Sequence, residues 1–178
     1  MSRVVTCNAG FSANSISSFT ATCSGTTSGN SQWTNVLTCL PVACSPVSIA
    51  FSDSQSSLLD GKTLDTLTVT CNNGYSSTAG PAFPVYCLGT GTLQSTWTQV
   101  LACNSVACPT LSVPNSSASA ITGNTLDVRD VTCSNGYISS NGASFTVTCS
   151  GTAPGQSAWN VTLTCEGSLS LTYLTLFG

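Results

Sequence analysis

The stretch from Val131 to Cys165 reads V-T-C-S-N-G-Y, then F-T-V-T-C-S-G-T, then W-N-V-T-L-T-C, and its reading decides the fold. Cys133, Cys149 and Cys165 stand at two equal intervals of sixteen residues, with Trp159 ten residues past the middle cysteine. Cys71, Cys87 and Cys103 repeat the frame with Trp97 in register, and Cys7, Cys23 and Cys39 repeat it with Trp33. Three copies at one spacing mark tandem modules. Within each copy, alternations such as S-F-T-A-T-C and F-T-V-T-C carry the period of two that belongs to strands, and Asn-Gly pairs punctuate them as turns. The expected fold is all-β, with no helix of note.

Working outward, the boundaries follow the cysteines. Residues 1–39 form an incomplete module, residues 44–103 and 108–165 two complete ones, and residues 166–178 an apolar tail of strand-like pattern. Leu40-Pro41-Val42-Ala43 and Asn104-Ser105-Val106-Ala107 join them, each within C-x-x-V-A-C. Such short joints leave little slack, so the modules are expected end to end as a rod. Each complete module opens with a Pro-containing, Ser-rich segment and then passes a glycine ten residues before its second cysteine. L-D-G-K-T-L-D leads to Cys71 and I-T-G-N-T-L-D to Cys133, which puts Gly61 and Gly123 at one repeat position.

Composition narrows the function. Only 5% of residues are charged, against roughly 25% in ordinary soluble domains, while 57 of 178 are Ser or Thr, so solubility rests on hydroxyls and any sugars attached to them. A net charge of −3 with three basic residues offers nothing to neutralise a phosphate backbone or an anionic membrane. Nucleic acid is not an expected partner. Eleven cysteines without one histidine argue against mixed zinc sites and for disulfides formed in an oxidising compartment, so the chain is expected to be secreted or on the cell surface. Met1-Ser-Arg-Val-Val-Thr-Cys shows no signal peptide, and the chain reads as a piece of a longer secreted protein.

The order C…C-x-x-G-Y/F…C-x-G…W…C, with Pro near the first cysteine, resembles the sushi family, also called complement control protein or short consensus repeat modules. The resemblance covers residues 1–165. The chain departs from the family in lacking Pro just before the last cysteine and in its scarcity of charge. The resemblance implies small disulfide-stapled β modules with first-to-third and second-to-fourth pairing. Carried over, the pairs are Cys44 with Cys87, Cys71 with Cys103, Cys108 with Cys149, Cys133 with Cys165, and Cys7 with Cys39. Each such bond is worth roughly 3 to 4 kcal/mol in the chain-entropy model. The module cores are then expected around Trp33, Trp97 and Trp159 with Phe19, Phe83 and Phe145.

Cys23 is left over. The cysteine that would match Cys44 and Cys108 falls about eighteen to twenty positions before Met1 by the repeat spacing, so either the repeat begins upstream or Cys23 links to another molecule. At the other end, Leu169, Leu171, Tyr173, Leu174 and Leu176 form a candidate donor strand. Three readings stand for it: an edge strand on the third module, a truncated membrane-anchor signal, or a strand given to a neighbouring subunit. The tail is too short to span a bilayer as a helix.

Chemistry on a substrate is not expected. Without histidine, general bases reduce to Asp and Glu, six in all, and Asp60, Asp65, Asp127 and Asp130 read as turn carboxylates. No cofactor or metal is expected. Asn115-Ser116-Ser117 and Asn160-Val161-Thr162 are sequons, which makes covalent glycans an expected partner. Two functions fit: a glycosylated structural array that spaces and self-associates head to tail, and a recognition or adhesion array that binds protein or glycan through module faces.

Overall fold

The computed structural model describes residues 1–117 and 119–167, and within them the chain is all-β with no helix. The tail residues expected to form a donor strand, Leu169 to Leu176, lie outside the described residues.

Each module repeats one plan. The first has β1 (Ser2–Thr6), β2 (Phe11–Ser12), β3 (Ser18–Thr27), β4 (Asn30–Thr34) and β5 (Leu40–Pro41). The second has β6 (Thr66–Thr70), β7 (Tyr75–Ser76), β8 (Ala82–Gly91), β9 (Gln94–Thr98) and β10 (Asn104–Ser105). The third has β11 (Val128–Thr132), β12 (Tyr137–Ile138), β13 (Ser144–Ala153), β14 (Gln156–Asn160) and β15 (Glu166–Gly167). In each, a three-stranded antiparallel sheet is centred on the long strand, in the orders β1-β3-β4, β6-β8-β9 and β11-β13-β14. A two-stranded piece, β2-β5, β7-β10 or β12-β15, follows the module's Gly turn. Register repeats as closely as spacing: Cys23 lies opposite Trp33, Cys87 opposite Trp97 and Cys149 opposite Trp159.

Alternation along the long strands sends every second side chain inward. On β8 these are Phe83, Val85 and Cys87, and on β13 Phe145, Val147 and Cys149, all buried. Val69 and Val131 meet them from β6 and β11, with Ile49 and Leu59, or Val113 and Ile121, supplied by the leading segments 44–65 and 108–127.

Four disulfides join Cys7 to Cys39, Cys44 to Cys87, Cys108 to Cys149 and Cys133 to Cys165. Cys71 and Cys103 are disulfide-bonded as well, which makes five bonds, and Cys23 is a free thiol. Small β modules stapled in this way fit a protein of an oxidising, extracellular setting. Among the described residues no helix is long and apolar enough to cross a membrane.

Two compact units divide the chain: Met1–Thr70 with Ser77–Cys103, and Cys71–Ser76 with the residues from Asn104 on. The division does not follow the cysteine boundaries. Each unit gathers the Gly turn of one module and the sheet of the next.

Candidate interaction site at the module junctions

That regrouping has a cause in the turn C-x-x-G-[FY]. Phe11 N–H donates to Asn8 O, Tyr75 N–H to Asn72 O and Tyr137 N–H to Ser134 O, each at 3.0 Å. The glycine before the aromatic has φ of +77° at Gly10, +82° at Gly74 and +85° at Gly136, a conformation that costs glycine little and other residues much. All three turns therefore have one shape.

In the first unit the turn of the first module seats on the sheet of the second. Gly10 N–H donates to Gly91 O at 2.8 Å. A Cβ on Gly10 would lie 2.6 Å from the Cα of Gly89, and one on Gly89 would collide with the Ala9 carbonyl. Backbone meets backbone there because both residues lack a side chain. The buried hydroxyl of Thr63 closes the contact: it reaches Gly10 O at 2.6 Å, Val42 O at 3.1 Å and Ser95 Oγ at 2.6 Å. Thr63 has a single proton to give to the carbonyls, so Ser95 donates to it. Val42 N–H donates to Gly10 O, and Thr63 N–H to Val42 O, so the joint itself is bound into the lock.

The second unit repeats this atom for atom. Thr125 Oγ1 reaches Gly74 O at 2.7 Å, Val106 O at 3.1 Å and Ser157 Oγ at 2.6 Å. Gly74 N–H donates to Ala153 O at 3.0 Å, and a Cβ on Gly151 would collide with the Asn73 carbonyl. Each threonine is presented by a tight turn that an aspartate holds: Asp65 Oδ2 accepts from Lys62 N–H at 2.8 Å, and Asp127 Oδ2 from Asn124 N–H at 3.1 Å. These two carboxylates are structural turn caps. Asp127 also pairs with Arg129 at 3.2 Å, on the surface.

Both halves of the lock occur a third time without a counterpart among the described residues. Nothing lies within 4 Å of a Cβ built on Gly136, and Tyr137 is exposed where Tyr75 is buried. On the first module, Gly25 occupies the position of Gly89 and Gly151, and a Cβ there meets only Asn30 O at 3.8 Å. Ser31, at the position of Ser95 and Ser157, is exposed. Comparison with known families finds no matching family model, and comparison with curated proteins finds no matching relative. The junction geometry must therefore speak for itself.

The other sequence-derived residues are distributed as follows. Phe83, Phe145 and Trp97 are buried in their modules, while Trp159 is partly buried and donates its Nε1 proton to Pro109 O at 2.8 Å. Trp33, expected in a core, is instead 47% exposed, and Phe19 is only half-buried. The physical reason is the leading segment. Gly61 and Gly123 press on Trp97 and Trp159, a built Cβ standing 3.0 Å from the ring in each case, and residues 1–39 hold no such glycine over Trp33. Asn115 is exposed, but its Nδ2 donates to Cys165 O at 3.3 Å, so the atom that would carry a glycan already ties the leading segment to the last cysteine. Asn160, Val161 and Thr162 are all exposed at the end of β14.

A shallow cavity of about 470 Å³ on the third module is lined by Ile138, Ser139, Thr162, Leu163 and Glu166 among others. It contains hydroxyls and one carboxylate. Among the described residues no group of three His, Cys, Asp or Glu side chains could hold a metal ion. The locking residues Thr63, Thr125, Ser95, Ser157, Gly89 and Gly151 were not singled out by sequence. The repeated G-x-T-L-D and C-x-G motifs are the signal that marks them.

Proposed function

We propose that this chain is an extracellular structural array, a glycosylated coat, surface or filament subunit that works by holding its modules at a fixed spacing and by associating head to tail. The observation that carries the reading is the identity of the two junctions. Recognition surfaces diversify from module to module, whereas a spacer repeats one contact, and here the same threonine, serine, glycine pair and carbonyls recur with distances that agree within about 0.1 Å for the threonine bonds. A heterologous contact of this kind continues as an open chain when it does not close into a ring. The preformed turn at Gly136 and the bare face at Gly25 and Ser31 are the complementary halves that a further step of the same contact would use.

Membership of the sushi family is proposed on the same footing. Its support is the first-to-third and second-to-fourth pairing of Cys108 with Cys149 and Cys133 with Cys165, together with the cysteine-tryptophan frame. Glycosylation is proposed at Asn160 before Asn115, on the exposure and the hydrogen bonding described above.

Sedimentation and negative-stain imaging of the purified chain over a concentration series test the main reading. Strings of copies that lengthen with concentration are the expected result. Dispersed single chains at every concentration would overturn self-association and favour the recognition array.

A further inference from the structure

Three Asn-Gly steps stand in the sequence, Asn73-Gly74, Asn135-Gly136 and Asn141-Gly142, and the first of them is built into a junction. Gly74 is buried while the side chain that precedes it, Asn73, is exposed. Asn73 is bridged antiparallel to Pro154, with Gly74 N–H donating to Ala153 O at 3.0 Å and Gly155 N–H to Tyr75 O at 2.8 Å. The Gly74 carbonyl accepts from Val106 N–H at 2.8 Å and from the Thr125 hydroxyl at 2.7 Å. The Asn73 carbonyl lies against Gly151, where a Cβ would collide with it. Both peptide groups that flank Gly74 are thereby held.

An asparagine followed by glycine places a leaving group beside a nucleophile. The glycine nitrogen, once it has lost its proton, attacks Cγ of the asparagine carboxamide, and Nδ2 leaves as ammonia. Water then opens the five-membered imide to aspartate or, by cleaving it at the main-chain carbonyl, to isoaspartate. Glycine favours the step because it has no Cβ to obstruct the approach. In the seat, the Gly74 nitrogen keeps its proton in the bond to Ala153 O, and its peptide plane is fixed.

We propose that Asn73 is a covalent modification site that the second junction holds in check. When the turn lifts from the sheet, Asn73 converts to aspartate or isoaspartate with uptake of water and release of ammonia. Isoaspartate adds a methylene to the main chain and displaces the carbonyl that fits against Gly151, so a passing opening becomes a permanent one. The first junction has Ala9 at the position of Asn73, so of the two junctions the second alone carries this chemistry. The inference holds for a spacer and a recognition array alike.

The test incubates the whole chain in mildly alkaline buffer and follows Asn73 by peptide mapping that separates asparagine, aspartate and isoaspartate. In the parent chain the conversion should be at least about tenfold slower than in a synthetic peptide of residues 72–78, since it waits on local opening. Thr125→Val should speed it at least about fivefold, the factor that one lost buried hydrogen bond puts on such an opening. Gly151→Ala should act in the same direction, and Thr63→Val, which loosens the first junction, should leave the rate at Asn73 unchanged. Hydrogen exchange at Val147, in the core of the same sheet, should be unaltered in all three variants. Conversion as fast in the chain as in the peptide would overturn the proposal, as would a Thr63→Val effect equal to that of Thr125→Val. So would an isoaspartate product whose Gly74 amide regains its protection from exchange.

Discussion

The first and second modules are built on the same strands in the same register, yet they differ in what lies over the sheet. Val69 and Trp97 are 0% and 8% exposed, while Val5 and Trp33, their counterparts, are 38% and 47% exposed. The strands of the two modules are equally regular, so backbone pairing does not depend on the filled core. Burial of the sheet's valine and tryptophan, in contrast, goes with residues 44–65, which contribute Ile49 and Leu59 to the core and set Gly61 against Trp97. A three-stranded sheet of this kind is a platform. Its leading segment, stapled by the first-to-third disulfide, turns the platform into a module.

Removing that staple should bring the second module closest to the first. In the double variant Cys44→Ala/Cys87→Ala, which opens a bond spanning 43 residues, the expected loss is about 4 kcal/mol in the chain-entropy model. It would be measured by urea unfolding, with Trp97 emission moving toward that of an exposed ring. An unchanged midpoint would mean that the leading segment holds by packing alone.

A smaller effect separates the two modules at one repeat position. Gly89→Ala pushes a methyl group into the Ala9 carbonyl and should cost roughly 1–3 kcal/mol, whereas Gly25→Ala should stay within about 0.5 kcal/mol of the parent. Equal effects at both positions would break the contrast between an occupied and a bare face. The hydroxyl lock gives the smallest step. Thr63→Val keeps the shape but leaves the Ser95 hydroxyl without its acceptor and the carbonyls short of a donor, an expected loss of roughly 1–3 kcal/mol toward the lower end. Hydrogen exchange at Gly10 and Val42 should quicken with it, while Ser31→Ala changes neither.

Much of this was legible in the sequence, and the exceptions share a physical origin. Alternation around Phe83 and Phe145 announces strands because strand periodicity is local, and the cysteine-tryptophan spacing announces modules because a repeat shows through its own recurrence. That one of eleven cysteines is left over follows from counting, and that it is Cys23 from the pairing the resemblance implies. Trp33 misled because a residue's burial is a property of its neighbours: the frame C-x₉-W is intact in residues 1–39, but what covers a tryptophan is a glycine far from it in the chain. The lock stayed hidden for a related reason. Thr63 in G-K-T-L-D looks like any turn hydroxyl until Gly10, 53 residues away, is seen to face it. The repeat of the motif at Thr125 was visible, but its partner was not.

The facing glycines of the two junctions, Gly10 against Gly89 and Gly74 against Gly151, have a consequence for how such an array can diverge. At each junction main chain lies directly against main chain, which every residue possesses, and the approach requires the absence of a methyl group at these four positions. Apart from the threonine and serine hydroxyls of the lock, no other side chain takes part in the junction contacts described. The outward side chains of the modules can therefore vary widely, between hydroxyls and apolar groups, while the seat of the turn on the sheet within each unit is kept.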